Sequence, residues 1–164
     1  SGVSKKINGK SDIFIKSINS FMGRINDLKM QLIFENGDIR VKNGSALLPQ
    51  DSKINFNLLF SENSNKPYLD FNFNFYSQNT KKFLRKFNVY QSFDKETSLS
   101  MKGKINLKNN TIKFVNIISN NRENFNKKEL SDIEKNFNKF VLENGIIGIT
   151  DFFKLKKFVN EILN

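Results

Sequence analysis

Leu28-Lys29-Met30-Gln31-Leu32-Ile33-Phe34-Glu35-Asn36-Gly37-Asp38-Ile39-Arg40-Val41 decides how this chain is read. Every second residue from Leu28 to Phe34 is apolar, an Asn-Gly pair follows, and apolar residues return at Ile39 and Val41. Successive side chains of a strand point to opposite faces, so Leu28, Met30, Leu32 and Phe34 share one apolar face. Asn and Gly tolerate the positive φ of a tight hairpin, which makes Asn36-Gly37 the turn between two antiparallel strands.

The pattern repeats along the chain. Ile54, Phe56, Leu58 and Phe60 form a second run and Leu69, Phe71, Phe73 and Phe75 a third. Lys53 to Phe60 and Tyr68 to Tyr76 therefore read as paired strands, joined by an irregular loop over the polar stretch from Ser61 to Pro67. Asn43-Gly44 marks a break, and Leu47-Leu48-Pro49-Gln50-Asp51 reads as a loop because Pro49 has no N–H to give to a ladder. Thr97 to Lys108 alternates through Leu99, Met101, Ile105 and Leu107, with Gly103 leaving a gap in the apolar face. Asn109-Asn110 is a turn, and a strand from Thr111 to Ile118 follows.

Four segments change period. Phe14, Ile18, Phe21 and Met22 recur at helical spacing behind Ser11, a competent N-cap, and predict a short helix from Asp12 to Met22. Asn79 to Phe87 places Phe83, Leu84 and Phe87 on one side of a short helix and Lys81, Lys82, Arg85 and Lys86 on the other. Ser131 and Glu134 have capping-box spacing, and Ile133, Phe137, Phe140 and Val141 form a stripe that ends at Gly145. Thr150 opens a second C-terminal helix through Phe152, Leu155, Val159 and Ile162. Strands followed by helices, without βαβ alternation, predict a mainly β or α+β class. The expected organisation is a flexible segment over 1–10, in which Ile7 joins an edge strand, and one domain over 11–164 that ends in a helical pair over 131–163. The chain opens Ser1-Gly2-Val3 without an initiator Met, which reads as a tag remnant or a cut from a longer protein.

Composition narrows function. The 164 residues contain no His, Cys or Trp, which removes the usual general base, every thiol nucleophile and metal sites built from imidazole or thiolate. Asp94 and Glu96 share a strand face if extended, but no partner base accompanies them. No enzyme and no cofactor is expected. The formal charge of +11 invites a polyanion or an anionic membrane surface, although the lysines are scattered as on a solvated surface. No apolar run approaches the ~18 residues of a membrane span.

The order Gly23 to Ile25, Leu28 to Phe34, Leu47-Leu48-Pro49-Gln50-Asp51-Ser52, Pro67-Tyr68-Leu69-Asp70-Phe71, Phe83-Leu84-Arg85-Lys86-Phe87 and Leu99 to Leu107 resembles the repeat-bearing region of the AsmA family. These are large envelope proteins of Gram-negative bacteria, of AsmA, TamB and YhdP type. The chain departs from that pattern at Gln50 and Asp70, where members tend to have Gly. The resemblance implies a curled antiparallel sheet forming a groove for phospholipid acyl chains, in a non-enzymatic periplasmic protein that supports lipid transport and outer-membrane biogenesis. It further implies an inner-membrane anchor in a segment outside this chain, and contacts with other repeats of the same protein. The groove-lining candidates are Leu28, Met30, Leu32, Phe34, Ile54, Phe56, Leu58, Phe60, Phe71, Phe73, Phe75, Leu99, Met101, Ile105 and Leu107. Lys81, Lys82, Arg85 and Lys86 are the candidate contacts to an anionic surface.

Two other readings stand beside that one. In a structural or protein-interaction domain the same apolar face is sealed: six strands at ~4.8 Å make a sheet roughly 29 Å wide, which three helices of ~10 Å diameter would cover. In a single-strand nucleic-acid binder the phenylalanines would stack bases. The run Phe71, Phe73, Phe75 shares its face with Leu69 as core residues do, and no nucleic-acid motif accompanies it.

Overall fold

The computed structural model describes residues 7–20, 23–63, 66–85, 96–120 and 125–144. Seven strands form one unclosed, curled antiparallel sheet in the order of the sequence: β1 (Gly9–Ser20), β2 (Gly23–Glu35), β3 (Asp38–Leu48), β4 (Ser52–Asn63), β5 (Lys66–Ser77), β6 (Thr97–Asn106) and β7 (Thr111–Ser119). Among the described residues two helices accompany it, α1 (Thr80–Arg85) and α2 (Lys127–Asn144). Each strand pairs with its sequence neighbour, so the fold is a meander whose connections are short wherever they join strands directly.

The hairpin at Asn36-Gly37 forms as its residues require, with φ of 54° and 90° at the two positions. Pairing of Phe34 with Ile39 and Leu32 with Val41 puts the apolar set of both strands on one face. The same face continues through Leu58 opposite Phe71, and through Phe73 opposite Met101 and Met101 opposite Ile117.

Four expectations are corrected. Asp12 to Ser20 is not helix but strand, part of β1, paired with β2 from Gly9↔Phe34 to Ser20↔Gly23, and Phe21 and Met22 lie outside the described residues. Ile13 and Ile15 alternate across it, and a full-length ladder with β2 outweighs the weaker helical spacing of Phe14 and Ile18, which stand exposed on the other face. Ile7 is exposed and precedes this strand. Asn43-Gly44 does not end β3 but bulges it: the register shifts between Val41 and Gly44, Asn43 adopts φ 53°, and its N–H donates to the Asn57 side chain at 3.0 Å. Ser61 to Pro67 is not a long loop, since β4 runs to Asn63 and β5 starts at Lys66. Further register shifts flank Lys29 and lie between Lys102 and Gly103, and bulges of this kind bend a sheet.

The fourth correction concerns α2. It starts at Lys127, four residues before Ser131, because Asn126 caps it: the Asn126 carboxamide oxygen accepts from the N–H groups of Lys128 and Glu129, and the Glu129 carboxylate accepts from the Asn126 N–H at 2.8 Å. That is the reciprocal box one turn upstream of the expected one. The second helix expected after Thr150 lies outside the described residues.

Candidate functional site

The apolar face is the candidate site, and it has two unlike ends. Over β5 to β7 it is packed. Phe71, Phe83, Leu84, Ile112, Phe114, Ile117, Phe125 and Ile133 form one buried cluster, with Ile117 only 1% exposed. Phe83 of α1 lies 5.0 Å from Phe75, ring centre to ring centre, and Phe137 of α2 meets Phe114 edge-on at 6.3 Å. Further ring contacts continue the packing, Phe71 against Phe73 on the same strand at 5.4 Å and against Phe114 of β7, across β6, at 6.0 Å.

Two polar side chains fix α2 against the sheet. Glu134 accepts a hydrogen bond from the backbone N–H of Phe114 at 2.7 Å. Asn138 accepts from the N–H of Ile112 at 2.6 Å and donates to its carbonyl at 3.2 Å. β7 is an edge strand, and these residues occupy the backbone groups it would otherwise present outward. The match is geometric: side chains four apart on a helix are ~6 Å apart, close to the ~6.7 Å between alternate residues of a strand. Sequence reading missed this clasp, because nothing in Glu134 and Asn138 marks them except polar placement beside Ile133 and Phe137.

Over β1 to β4 the face carries Ile13, Ile15, Leu28, Met30, Leu32, Phe34, Ile54, Phe56, Leu58 and Phe60, all half-buried. Among the described residues the main helix–sheet packing is that of α2 on β7, with α1 reaching Phe75. Seven strands at ~4.8 Å span roughly 34 Å, of which α2, at ~10 Å diameter, covers a minor part.

The sequence candidates are thus divided. Phe71 is in the packed cluster; Leu58, Phe73, Phe75, Leu99, Met101 and Ile105 lie against it. Leu28, Met30, Leu32, Phe34, Ile54, Phe56 and Phe60 stand on the half-buried end. Leu107 falls beyond β6 in the following turn, where its N–H donates to the Pro67 carbonyl at 2.9 Å. The gap at Gly103 is filled from across the ladder by Phe71, whose ring sits where a Cβ would be. Gly44 holds the ring of Phe56 in the same way.

At the rim beside Phe75, α1 turns Lys82 and Arg85 outward to solvent, with Asn79 capping its first turn through the Lys82 N–H at 3.0 Å. Lys81 is half-buried on the same helix; Lys86 and Phe87 lie outside the described residues. On the opposite sheet face a shallow trough of about 590 Å³ runs between Arg40, Lys42, Asn57, Asp70, Asn72, Lys102 and Lys104. Lys104 pairs with Asp70 at 3.3 Å and lies 4.1 Å over the Tyr68 ring. Asp94 is outside the described residues, and Glu96 accepts the Tyr76 hydroxyl at 2.9 Å, a bond that raises the Tyr76 pKa above its ordinary 10.0. Among the described residues no group of acidic side chains is placed to hold a metal ion, and no helix is long and apolar enough to cross a membrane.

No protein-family model, no curated protein and no solved structure matches this chain.

Proposed function

We propose that this chain is a non-enzymatic groove domain of AsmA type, which holds phospholipid acyl chains on the β1–β4 end of its apolar face and supports lipid passage between the membranes of a Gram-negative envelope. The observation that carries the reading is the unclosed, curled seven-stranded sheet, whose apolar face continues past the packed end onto ten half-buried aliphatic and aromatic side chains. Each methylene moved from water onto such a surface contributes ~0.8 kcal/mol, so Leu32, Phe34, Phe56 and Phe60 suffice to hold a chain without a polar specificity group. Lys82 and Arg85 at the rim suit an anionic head group, each adding about 1 kcal/mol near such a surface.

The turn after Pro49 also supports the family reading. Gln50, standing where family members tend to have Gly, adopts φ 61°, a conformation that Gly takes without cost. In this reading the domain works in the periplasm, held to the inner membrane through another segment of the full-length protein and extended by further repeats.

The packed cluster favours a second reading, a structural or protein-interaction domain whose core is closed. Organic extraction of the purified protein followed by mass spectrometry separates the two. Co-purifying phospholipid, or uptake of a fluorescent fatty acid that Leu32→Asp abolishes, is the expected result. A folded, lipid-free protein that takes up no probe overturns the carrier reading and leaves the second.

A further inference from the structure

The two edges of the sheet are treated differently. β7 is clasped by Glu134 and Asn138, whereas β1 is the other edge and ends the strand order. Among the described residues no strand pairs with its outer side, and an open edge of twelve residues is a template for another strand, which proteins usually blunt with Pro, bulges or charged side chains, lysine above all. β1 contains no Pro and no register shift, and its two lysines, Lys10 and Lys16, stand exposed. It also carries apolar side chains on both faces, Ile13 and Ile15 on one and Phe14 and Ile18, 59% and 43% exposed, on the other. Apolar side chains on both faces are the mark of a strand covered on both faces rather than solvated on one.

The core of β1 reads Ser11-Asp12-Ile13-Phe14-Ile15-Lys16-Ser17. Reversed, it is the same heptapeptide except that Asp and Lys change places. Two copies laid antiparallel about a two-fold axis through Phe14 therefore bring Ser11 opposite Ser17, Asp12 opposite Lys16, Ile13 opposite Ile15, and Phe14 opposite itself. Both charges are neutralised, twice over. Asp12 and Lys16 of one chain stand about 13 Å apart along the strand and do not reach each other, whereas between copies each faces the other. Asp12 is already steadied by Gln31, whose amide donates to it at 2.8 Å, and Phe14 is flanked by Lys29 at 5.6 Å from the ring centre.

Neighbouring registers fail. A slip of one residue sets the apolar face of one copy against the other face of its mate. A slip of two sets Lys10 against Lys16 in one direction and Asp12 against Ile18 in the other. We infer that β1 is a self-pairing edge: a second copy of this chain adds antiparallel to it in the Phe14-centred register, doubling the sheet and joining the two apolar faces side by side. An interface of this kind is isologous, as closed dimers require.

The chain has no Cys, so a single introduced thiol reports contacts without background. Residue 14 lies on the axis at an antiparallel separation of ~4.5–5.5 Å, within disulfide range, whereas copies of residue 18 lie about 26 Å apart. Under mild oxidation Phe14→Cys cross-links at least about ten-fold faster than the similarly exposed Ile18→Cys. A single strand pair buries less than the roughly 1,200 Å² of stable complexes, so sedimentation is followed up to about 0.5 mM protein. Wild type shows concentration-dependent dimer, Lys16→Asp weakens it about ten-fold, and the exchange Asp12→Lys with Lys16→Asp restores it. A monomer throughout that range, equal cross-linking at 14 and 18, or failure of the double exchange in a protein with wild-type circular dichroism each overturns the proposal.

Discussion

At the β7 end of the sheet Ile117 is 1% exposed within the buried cluster; at the β1 end Ile13 and Ile15, on the same face, remain half-buried. Both ends alternate with period two. The difference teaches that alternation assigns a residue to a face, while burial depends on what is laid over that face. α2 supplies the cover at one end, and its position is fixed by the hydrogen bonds of Glu134 and Asn138 to the strand edge together with Ile133 and Phe137 beneath.

The contrast can be broken by truncation. Ile117→Ala is expected to cost about 2–5 kcal/mol in urea unfolding, through lost transfer energy and an unfilled cavity. Leu32→Ala, on the half-buried end, is expected to cost no more than about half of that, because its surroundings are less enclosed. Equal losses would mean that the β1–β4 end is as sealed as the other.

Two glycines sharpen the same comparison. A Cβ at Gly103 meets the Lys113 backbone carbonyl and the Phe71 ring, both at 2.6 Å, and Phe71 is only 5% exposed. Gly103→Ala should therefore destabilise by about 1–3 kcal/mol, the usual range for overpacking. At Gly44 the three nearest atoms all belong to the Phe56 ring, a half-buried side chain that can turn where a backbone carbonyl cannot. Gly44→Ala is expected to cost less than about 1 kcal/mol, with thermal unfolding as the measurement; a larger loss there would show that Phe56 is pinned.

A further contrast concerns the clasped edge. Asn138→Ala leaves the Ile112 N–H and carbonyl without their helix partner, at a cost of about 1–2 kcal/mol. Hydrogen exchange at the Ile112 amide should accelerate while amides of the β4–β5 ladder keep their protection. Unchanged exchange at Ile112 would show that the clasp contributes nothing to edge protection.

Much of the sheet was legible because its signals are local. Leu28 to Val41 contains both its alternation and its turn, and Asn36-Gly37 needs no distant partner to adopt positive φ. The Asp12 to Met22 segment was misread as helix because Phe14 and Ile18 happen to stand four apart, whereas the ladder that makes it a strand is supplied by β2. The start of α2 was placed one turn late for a related reason: Asn126 with Glu129 and Ser131 with Glu134 share one spacing, and the apolar stripe alone did not choose between them. Asn43-Gly44 carried a real signal of irregularity, but whether it ends a strand or bulges it depends on Asn57 of the next strand accepting its N–H.

The candidate face was legible as a set of residues and illegible as a surface. By itself the sequence determined a β-rich chain with one apolar face and without imidazole or thiol chemistry, because side-chain periodicity follows from backbone stereochemistry within a few residues. Only the tertiary structure decided which end of that face is packed and which edge is clasped. Those outcomes rest on contacts between residues twenty or more positions apart, such as Glu134 with Phe114 and Asn138 with Ile112, and no local pattern encodes where a helix comes to lie.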